Sequence, residues 1–403
     1  MYSKYSQLIT SRTLICTRKS LLCRTVPESF PFQCKRSERK WQCLKLQTAC
    51  FHTTQKLHSP GLIILCLGSI LCGRFIRKRW MTMSPIKQEM FIRWYMQRRR
   101  IINGCLMGLS IALPIYCLTC FKRDPVVKAP RFILIDGAKR ITYSKFVYSL
   151  IVRNKENVVP FRNPMYTRVT RVLNNLARAN KEIFKDSTPW NVTIIYRIFN
   201  EISAPNVLIL PDRSIIVLAD IFKFIKNDDQ LTIILAHEMA HEILYHVAQT
   251  LSIGLLRVYL TVIPTLFIWI FYPTRVAIRL SLFLYILTSL IFSWFKRSCE
   301  READEIGLQL AAKTCVDPRE ALVLWEIMKT YEDLIGSSKF QLSLFMDHPS
   351  FEERLLRTIE LLPKYNNLRN QAECPELPIR DPRDRLPQYK KEIERKFRKN
   401  PRF

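Results

Sequence analysis

His237, Glu238 and His241 have the types and spacing to build a hydrolytic metal centre. Side chains four apart stack on one face of a helix, so both imidazoles of His237-Glu238-Met239-Ala240-His241 can reach one ion. Glu238, beside the first imidazole, is placed to act as base toward a water attacking a peptide carbonyl. A catalytic zinc also needs a third protein ligand and an open coordination position, and these five residues supply neither.

Two candidates compete for that third place. His246 follows His241 by five residues, about 140° round a continuous helix from the ligand face, so it reads as a structural histidine. A metzincin continuation would need the histidine one place later and a glycine where Leu244 stands. Glu300 opens Glu300-Arg301-Glu302-Ala303-Asp304, whose first and last acids share a helical face. Glu300 can then be the ligand while Asp304 receives an imidazole N–H and fixes its tautomer. Glu302 is the alternative ligand.

The elements that must carry these residues follow from patterning. Asn227-Asp228-Asp229 are good caps for a helix expected to run to about residue 252. Residues 191–196 and 206–218 have strand character, the second broken into a hairpin at Pro211-Asp212-Arg213-Ser214. Residues 161–185 read as a polar helix, and helical patterning returns at 296–313, 318–335 and 351–362. The apolar stretches 258–272 and 280–295, split by Pro273, Arg275 and Arg279, are each short for a span and suggest a hairpin dipping into a membrane or a buried pair. The expected fold class is α+β, mainly helical, with a small β-sheet and an N-terminal transmembrane helix.

Composition sets the surroundings. The 403 residues carry 63 Lys+Arg against 34 Asp+Glu, a net +29, and more than half of that excess lies in the first 100 residues. Such asymmetry points to targeting, an anionic membrane or nucleic acid. No module in which basic residues alternate with exposed aromatics is present, which argues against nucleic acid. Residues 1–60 are rich in Arg, Lys, Ser and Thr, nearly free of acid and without a long apolar core, the pattern of a mitochondrial transit peptide. Residues 61–125 form the membrane anchor region. Within it, 101–120 is an uncharged 20-residue run that can span a bilayer, whereas the apolar run 61–73 is too short and reads as interfacial. Arg98-Arg99-Arg100 upstream of the span favour an N-terminal side in the matrix, leaving the following domain in the intermembrane space. The segment 74–100 mixes Arg and Lys with Trp80, Phe91, Trp94 and Tyr95, suited to anionic lipid such as cardiolipin. Ten of the 13 cysteines precede residue 121 and show no paired CxxC, so a cysteine zinc site is not expected. Residues 126–380 form the expected peptidase domain, with the hydrophobic hairpin 258–295, and the basic stretch 381–403 a mobile tail.

HExxH followed by ExxxD across a hydrophobic insertion resembles the zinc peptidases related to the bacterial heat-shock protease HtpX and the CAAX prenyl protease. The wider match is to the Oma-type mitochondrial metalloendopeptidases: residues 235–241, 302–315 and His348-Pro349-Ser350 with Arg354, within a resemblance covering about 190–385. It implies a gluzincin-like domain with one Zn2+ per chain held by His237, His241 and Glu300. It places Glu238, His348 and Arg354 in the catalytic set, His348 steadying the oxyanion. It puts Cys315 and Cys374 where the family has cysteines proposed to form a redox-responsive disulfide. It further implies an ATP-independent inner-membrane protease, activated by loss of membrane potential, that acts on inner-membrane proteins including a dynamin-like fusion GTPase. None of the nine glycines sits in a GxxxxGK[ST] loop, in keeping with ATP independence. Homo-oligomer formation stays open. The chain departs from the family at Lys296-Arg297, Met346-Asp347, Pro205-Asn206-Val207 and Pro211-Asp212-Arg213, which bear on substrate preference and on the edge strand rather than on the ligands. Two further readings stay open from the residues: a prenyl-protein protease of the endoplasmic reticulum, and a non-catalytic membrane scaffold that keeps zinc for stability.

Overall fold

The computed structural model describes residues 54–135, 137–152, 155–184, 190–196, 207–335 and 350–399. Most of the expected transit segment, together with Pro205, Asn206, Met346, Asp347 and His348, lies outside the described residues. Two long helices come first, α1 (Thr54–Met81) and α2 (Pro85–Thr119), the second opened by an extended Ser84 and a proline in its first turn. The run 61–73 is thus part of a 28-residue helix rather than a short surface segment. No residue of α2 is buried, and Leu106, Leu109, Ile111 and Leu118 stand open, the surface expected of a helix solvated by lipid.

A hairpin of β1 (Phe121–Arg123) and β2 (Pro130–Phe132) leaves α2. Next come α3 (Gly137–Ile151) and α4 (Pro164–Ala179). The helix expected over 161–185 is shorter and starts at Asn163, whose side chain accepts the Met165 amide, with Pro164 in the first turn. Its Tyr166, Val169, Val172, Leu173 and Leu176 form one buried stripe.

β3 (Asn191–Ile195), β4 (Val207–Ile209) and β5 (Ser214–Leu218) form a sheet in the order β3-β5-β4. β4 and β5 are the antiparallel hairpin that Pro211-Asp212-Arg213 turns, with Arg213 at φ 64°; β3 runs parallel to β5. Alternation divides the strands between two cores. Ile194, Val207, Ile209, Ile215 and Val217 join the stripe of α4, whereas Ile195, Leu208, Leu210, Ile216 and Leu218 meet Val147 and Ile151 of α3. The centre of the domain is therefore a small sheet covered on both faces.

The next helix, α5 (Asp228–Ile243), is capped by Asn227, whose side chain accepts the Gln230 amide. It does not continue to 252. The chain breaks at Leu244 and at Tyr245, which adopts φ 59°, and restarts as α6 (His246–Phe271). α7 (Thr274–Ala312) returns antiparallel to it. The two apolar stretches are thus the middles of helices 26 and 39 residues long. With α2 they are the three described helices long and apolar enough to cross a membrane. Polar residues at their ends continue the helices into the water-facing domain, which is why the apolar runs alone looked short. Inside the pair, Arg257 donates to Ser289 Oγ at 2.6 Å and Thr261 meets Thr288 at 3.1 Å, polar ties of the kind that hold helices together in lipid.

α7 also lies across α5. They cross at Gly307, where an added Cβ would sit 2.8 Å from His237 Cα, so only glycine allows this approach. α8 (Glu320–Ile335), α9 (Phe351–Gln371) and α10 (Leu386–Lys399) close the domain. Residues 381–399 are not a mobile tail. Ile393 of α10 is buried against Phe224, Val323 and Ile327, and Lys226–Glu392 and Lys390–Glu326 pairs flank it. One apolar residue per turn sufficed to dock a helix whose composition is otherwise basic.

Candidate active site

α5 carries His237, Glu238 and His241 on its inner face, and α7 brings Glu300 and Asp304 against it across the Gly307 contact. The imidazole Nε2 atoms of His237 and His241 are 3.2 Å apart. Glu300 faces both, with Oε2 3.7 Å from His237 Nε2 and Oε1 3.4 Å from His241 Nε2. One donor atom from each of the three lies within 4.8 Å of the others, so these residues can hold one ion. Two neutral nitrogens and a carboxylate fit zinc and leave a coordination position open.

Each imidazole is backed on its far side. His237 Nδ1 stands 3.0 Å from Asp304 Oδ1, the second-layer role that spacing suggested. Asp304 is itself clamped by Arg354, whose Nε donates to Oδ2 at 2.8 Å and whose Nη2 meets Oδ1. The guanidinium carbon of Arg354 lies 3.6 Å over the Trp325 ring. Burial draws Arg354 down, and the Asp304 carboxylate more than restores it, keeping the guanidinium charged. Arg354, expected in the catalytic set, thus stands behind Asp304, the residue that backs the first imidazole. His348 lies outside the described residues.

His241 is backed by His246, Nδ1 to Nδ1 at 3.2 Å. An unbroken helix would hold His246 about 140° from the ligand face; the kink at Tyr245 instead swings it behind the second imidazole. Glu302 faces away from the three donors, pairing with His246 and Arg131. Sequence reasoning missed Arg131 and Gly307. Arg131 is 171 residues from its partner, and no local spacing announces it. Gly307 offered a signal, since a glycine one turn past Asp304 on the same face marks a close crossing.

Glu238 is 5% exposed, and its carboxyl accepts the Ile209 amide of β4. Burial pushes it up to about 7, opposed by the nearby imidazole of His237 and reinforced by Glu300. A carboxyl at that level can take a proton from water and give it up again near neutral pH. The cleft beside it, about 110 Å3 and open to solvent, is walled by Tyr143, Val147 and Ile151 of α3, Leu208 and Leu210 of the hairpin, and Lys296 of α7. Cys315 and Cys374 are joined in a disulfide at the far end of α7, with Cα atoms 5.2 Å apart.

A buried base beside a His-His-Glu donor set, on a helix that an extended strand flanks, is equipped to cut peptide bonds, and the class this defines is the HExxH metalloendopeptidases. Residues 166–360 match peptidase family M48. The chain is 29% identical over 350 residues to the mitochondrial metalloendopeptidase OMA1 of Danio rerio, covering 84% of this chain and 72% of that one. It is 28% identical to the Bos taurus protein of that name and 26% to the Homo sapiens one, each over 83% of this chain and 65% of the relative. No solved structure matches. Residues 166–360 thus carry an M48-type peptidase domain similar to that of the Oma-type enzymes, and the chain is a mitochondrial metalloendopeptidase with a metal cofactor.

Proposed function

We propose that the chain is a zinc endopeptidase of the inner mitochondrial membrane whose site faces the intermembrane space and cuts membrane proteins close to their spans. The observation that carries this reading is the place of the site at the foot of the α6/α7 hairpin. α6 starts at His246, beside the second imidazole, and Glu300 comes five residues after Phe295, only ~8 Å further along α7. A scissile bond must then come within a turn or two of the bilayer.

The far end of the hairpin supports the orientation. α6 is 26 residues and so ~39 Å long, close to a bilayer with its headgroups. Its tip carries Arg275 and Arg279 and meets the basic segment before α2: Arg77 donates to the Tyr272 carbonyl, and Arg74 lies 5.8 Å from the Trp269 ring centre. Positive charge gathers at the end away from the site, as a matrix-facing end requires. The Arg74, Arg77 and Lys78 cluster against Trp269 and Tyr272 is our proposed contact for anionic lipid, cardiolipin in this membrane.

In the mechanism, His237, His241 and Glu300 would hold the zinc, and Glu238 is the base. When bound, the ion supplies Lewis acidity for the scissile carbonyl and the attacking water. Glu238 takes the proton of that water and delivers it to the leaving amine. β4, an edge of the described sheet tied to Glu238 through Ile209, can align an extended substrate by strand addition. His348 as oxyanion donor, a dynamin-like fusion GTPase as substrate, activation by loss of membrane potential and a redox role for Cys315–Cys374 complete the reading by resemblance.

The test uses isolated mitochondria carrying wild type or Glu238→Gln, before and after uncoupling, with cleaved inner-membrane proteins mapped. Neo-termini next to predicted spans, lost in the variant and increased on uncoupling, are expected. Cleavage far from any span, or unaffected by the variant, overturns the proposal.

A further inference from the structure

Behind His241 a file of polar side chains, buried except for the half-buried Glu302, runs out of the site to the hairpin that leaves α2. His246 Nε2 is 3.1 Å from Glu302 Oε2. Arg131 of β2 grips the same carboxylate with both terminal nitrogens, Nη1 reaching Oε2 at 2.8 Å. Its Nε donates to Asp124 Oδ2 at 2.9 Å. Asp124 in turn accepts the amides of Val126, Val127, Lys128 and Ala129, which fixes the β1–β2 turn. His246 is 1% exposed, Asp124 2% and Arg131 8%.

The file has one self-consistent direction. With Nε2 of His241 turned to the donor set, its Nδ1 carries the hydrogen and donates to His246 Nδ1. His246 then carries its hydrogen on Nε2 and donates to Glu302, which Arg131 holds in place. Along this file every acceptor meets a donor, and His237, Asp304 and Arg354 place an imidazole, a carboxylate and a guanidinium in the same order. A bidentate guanidinium fixes the plane of a carboxylate, which a lysine would not.

We infer that Arg131 is a positioning residue for the ligand His241, acting through Glu302 and His246, so that the hairpin at the exit of the N-terminal span helps set the metal centre. The inference rests on the reading of His237, His241 and Glu300 as ligands. A mere fastening of the hairpin to α7 would use the same ion pair but would leave the ligand geometry unaffected. Loss of such an outer partner commonly weakens metal affinity 10–100-fold.

The experiment loads the full-length protein in detergent with Co2+ and compares Arg131→Gln, Glu302→Gln, the double variant and Ile393→Ala, a destabilised control remote from the site. Chelator competition gives affinity, and the visible ligand-field bands report geometry. The expected result is Co2+ bound about 10–100-fold more weakly with shifted bands in both single variants, no further loss in the double variant, and wild-type bands in Ile393→Ala. Should Arg131→Gln not fold, Glu302→Gln reads the same coupling. Wild-type affinity and bands in the folded variants overturn the inference while leaving the ligand assignment standing; failure of the wild type to bind Co2+ overturns both.

Discussion

Gly307→Ala places one methyl group between the two helices that make the site. Its Cβ would lie 2.8 Å from His237 Cα and 2.9 Å from His237 N, where ordinary contact begins at 3.4 Å. Both neighbours are backbone, so relief must come from moving α7 away from α5 by roughly 0.5–1 Å. Glu300 and Asp304 ride on α7 and His237 on α5, so the separation passes directly to the donor set. The stability terms partly offset each other: overpacking costs about 1–3 kcal/mol and alanine in place of a helical glycine returns about 0.5–1 kcal/mol. A misplacement near 1 Å at a reacting centre lowers rate about 100-fold. Gly307→Ala is therefore expected to melt within a few degrees of wild type yet lose roughly 10–100-fold in kcat/KM and bind metal more weakly. Hydrolysis of a quenched fluorescent peptide, chelator competition and thermal unfolding measure the three quantities. Gly68→Ala, whose Cβ would meet nothing within 4 Å, is the control and should match wild type. Wild-type kcat/KM and metal affinity in Gly307→Ala would refute the claim that this crossing sets the site.

Arg354→Met leaves the Asp304 carboxylate buried without its partner and should cost about 3–5 kcal/mol; Asp304→Asn in the same chain should restore most of the melting temperature but not the metal affinity. Glu242, half-buried beside the site, is pushed up to about 8 by burial, with Arg140 and Arg213 pulling the other way. The folded protein thus keeps a proton that the unfolded chain releases near ~4.3, so this group's contribution is present at low pH and is lost as pH rises toward about 8. Glu242→Gln should stabilise by about 1–3 kcal/mol at pH 8 and by nothing measurable at pH 4; thermal unfolding at the two values checks it, and an equal effect at both contradicts the sign. Ile393→Ala should cost about 2–4 kcal/mol because α10 is docked, and an unchanged melting temperature would return the segment to a loose tail.

The parts legible in the sequence were those set by local spacing. His237, Glu238 and His241 share a helical face by arithmetic, and Glu300 with Asp304 does the same one hairpin later, so the structure could bring them together only by crossing two helices. The β4–β5 turn was equally local, carried by Pro211-Asp212-Arg213. What stayed hidden was set by tertiary geometry. The break at Tyr245 needs a left-handed backbone at a tyrosine, which no turn residue advertises, and it alone gives His246 its place behind His241. Arg131 finds Glu302 only after α2, the sheet and the hairpin have folded. The apolar runs of α6 and α7 stop at polar residues, but α7 goes on because Cys299, Glu300 and Asp304 are buried in the domain rather than wetted at a membrane surface. The basic end misled through composition, since one buried isoleucine outweighed a surface rich in lysine and arginine.

The central claim is that Glu238 is the base of a metal-dependent peptidase whose ligands are His237, His241 and Glu300. Its most direct test is a paired measurement on purified wild type and Glu238→Gln: bound zinc by elemental analysis and hydrolysis of an extended peptide. One zinc per chain in both proteins, with hydrolysis in the wild type alone, is the expected result. Hydrolysis at the wild-type rate by the zinc-loaded variant, or no zinc in an active wild type, would contradict the account.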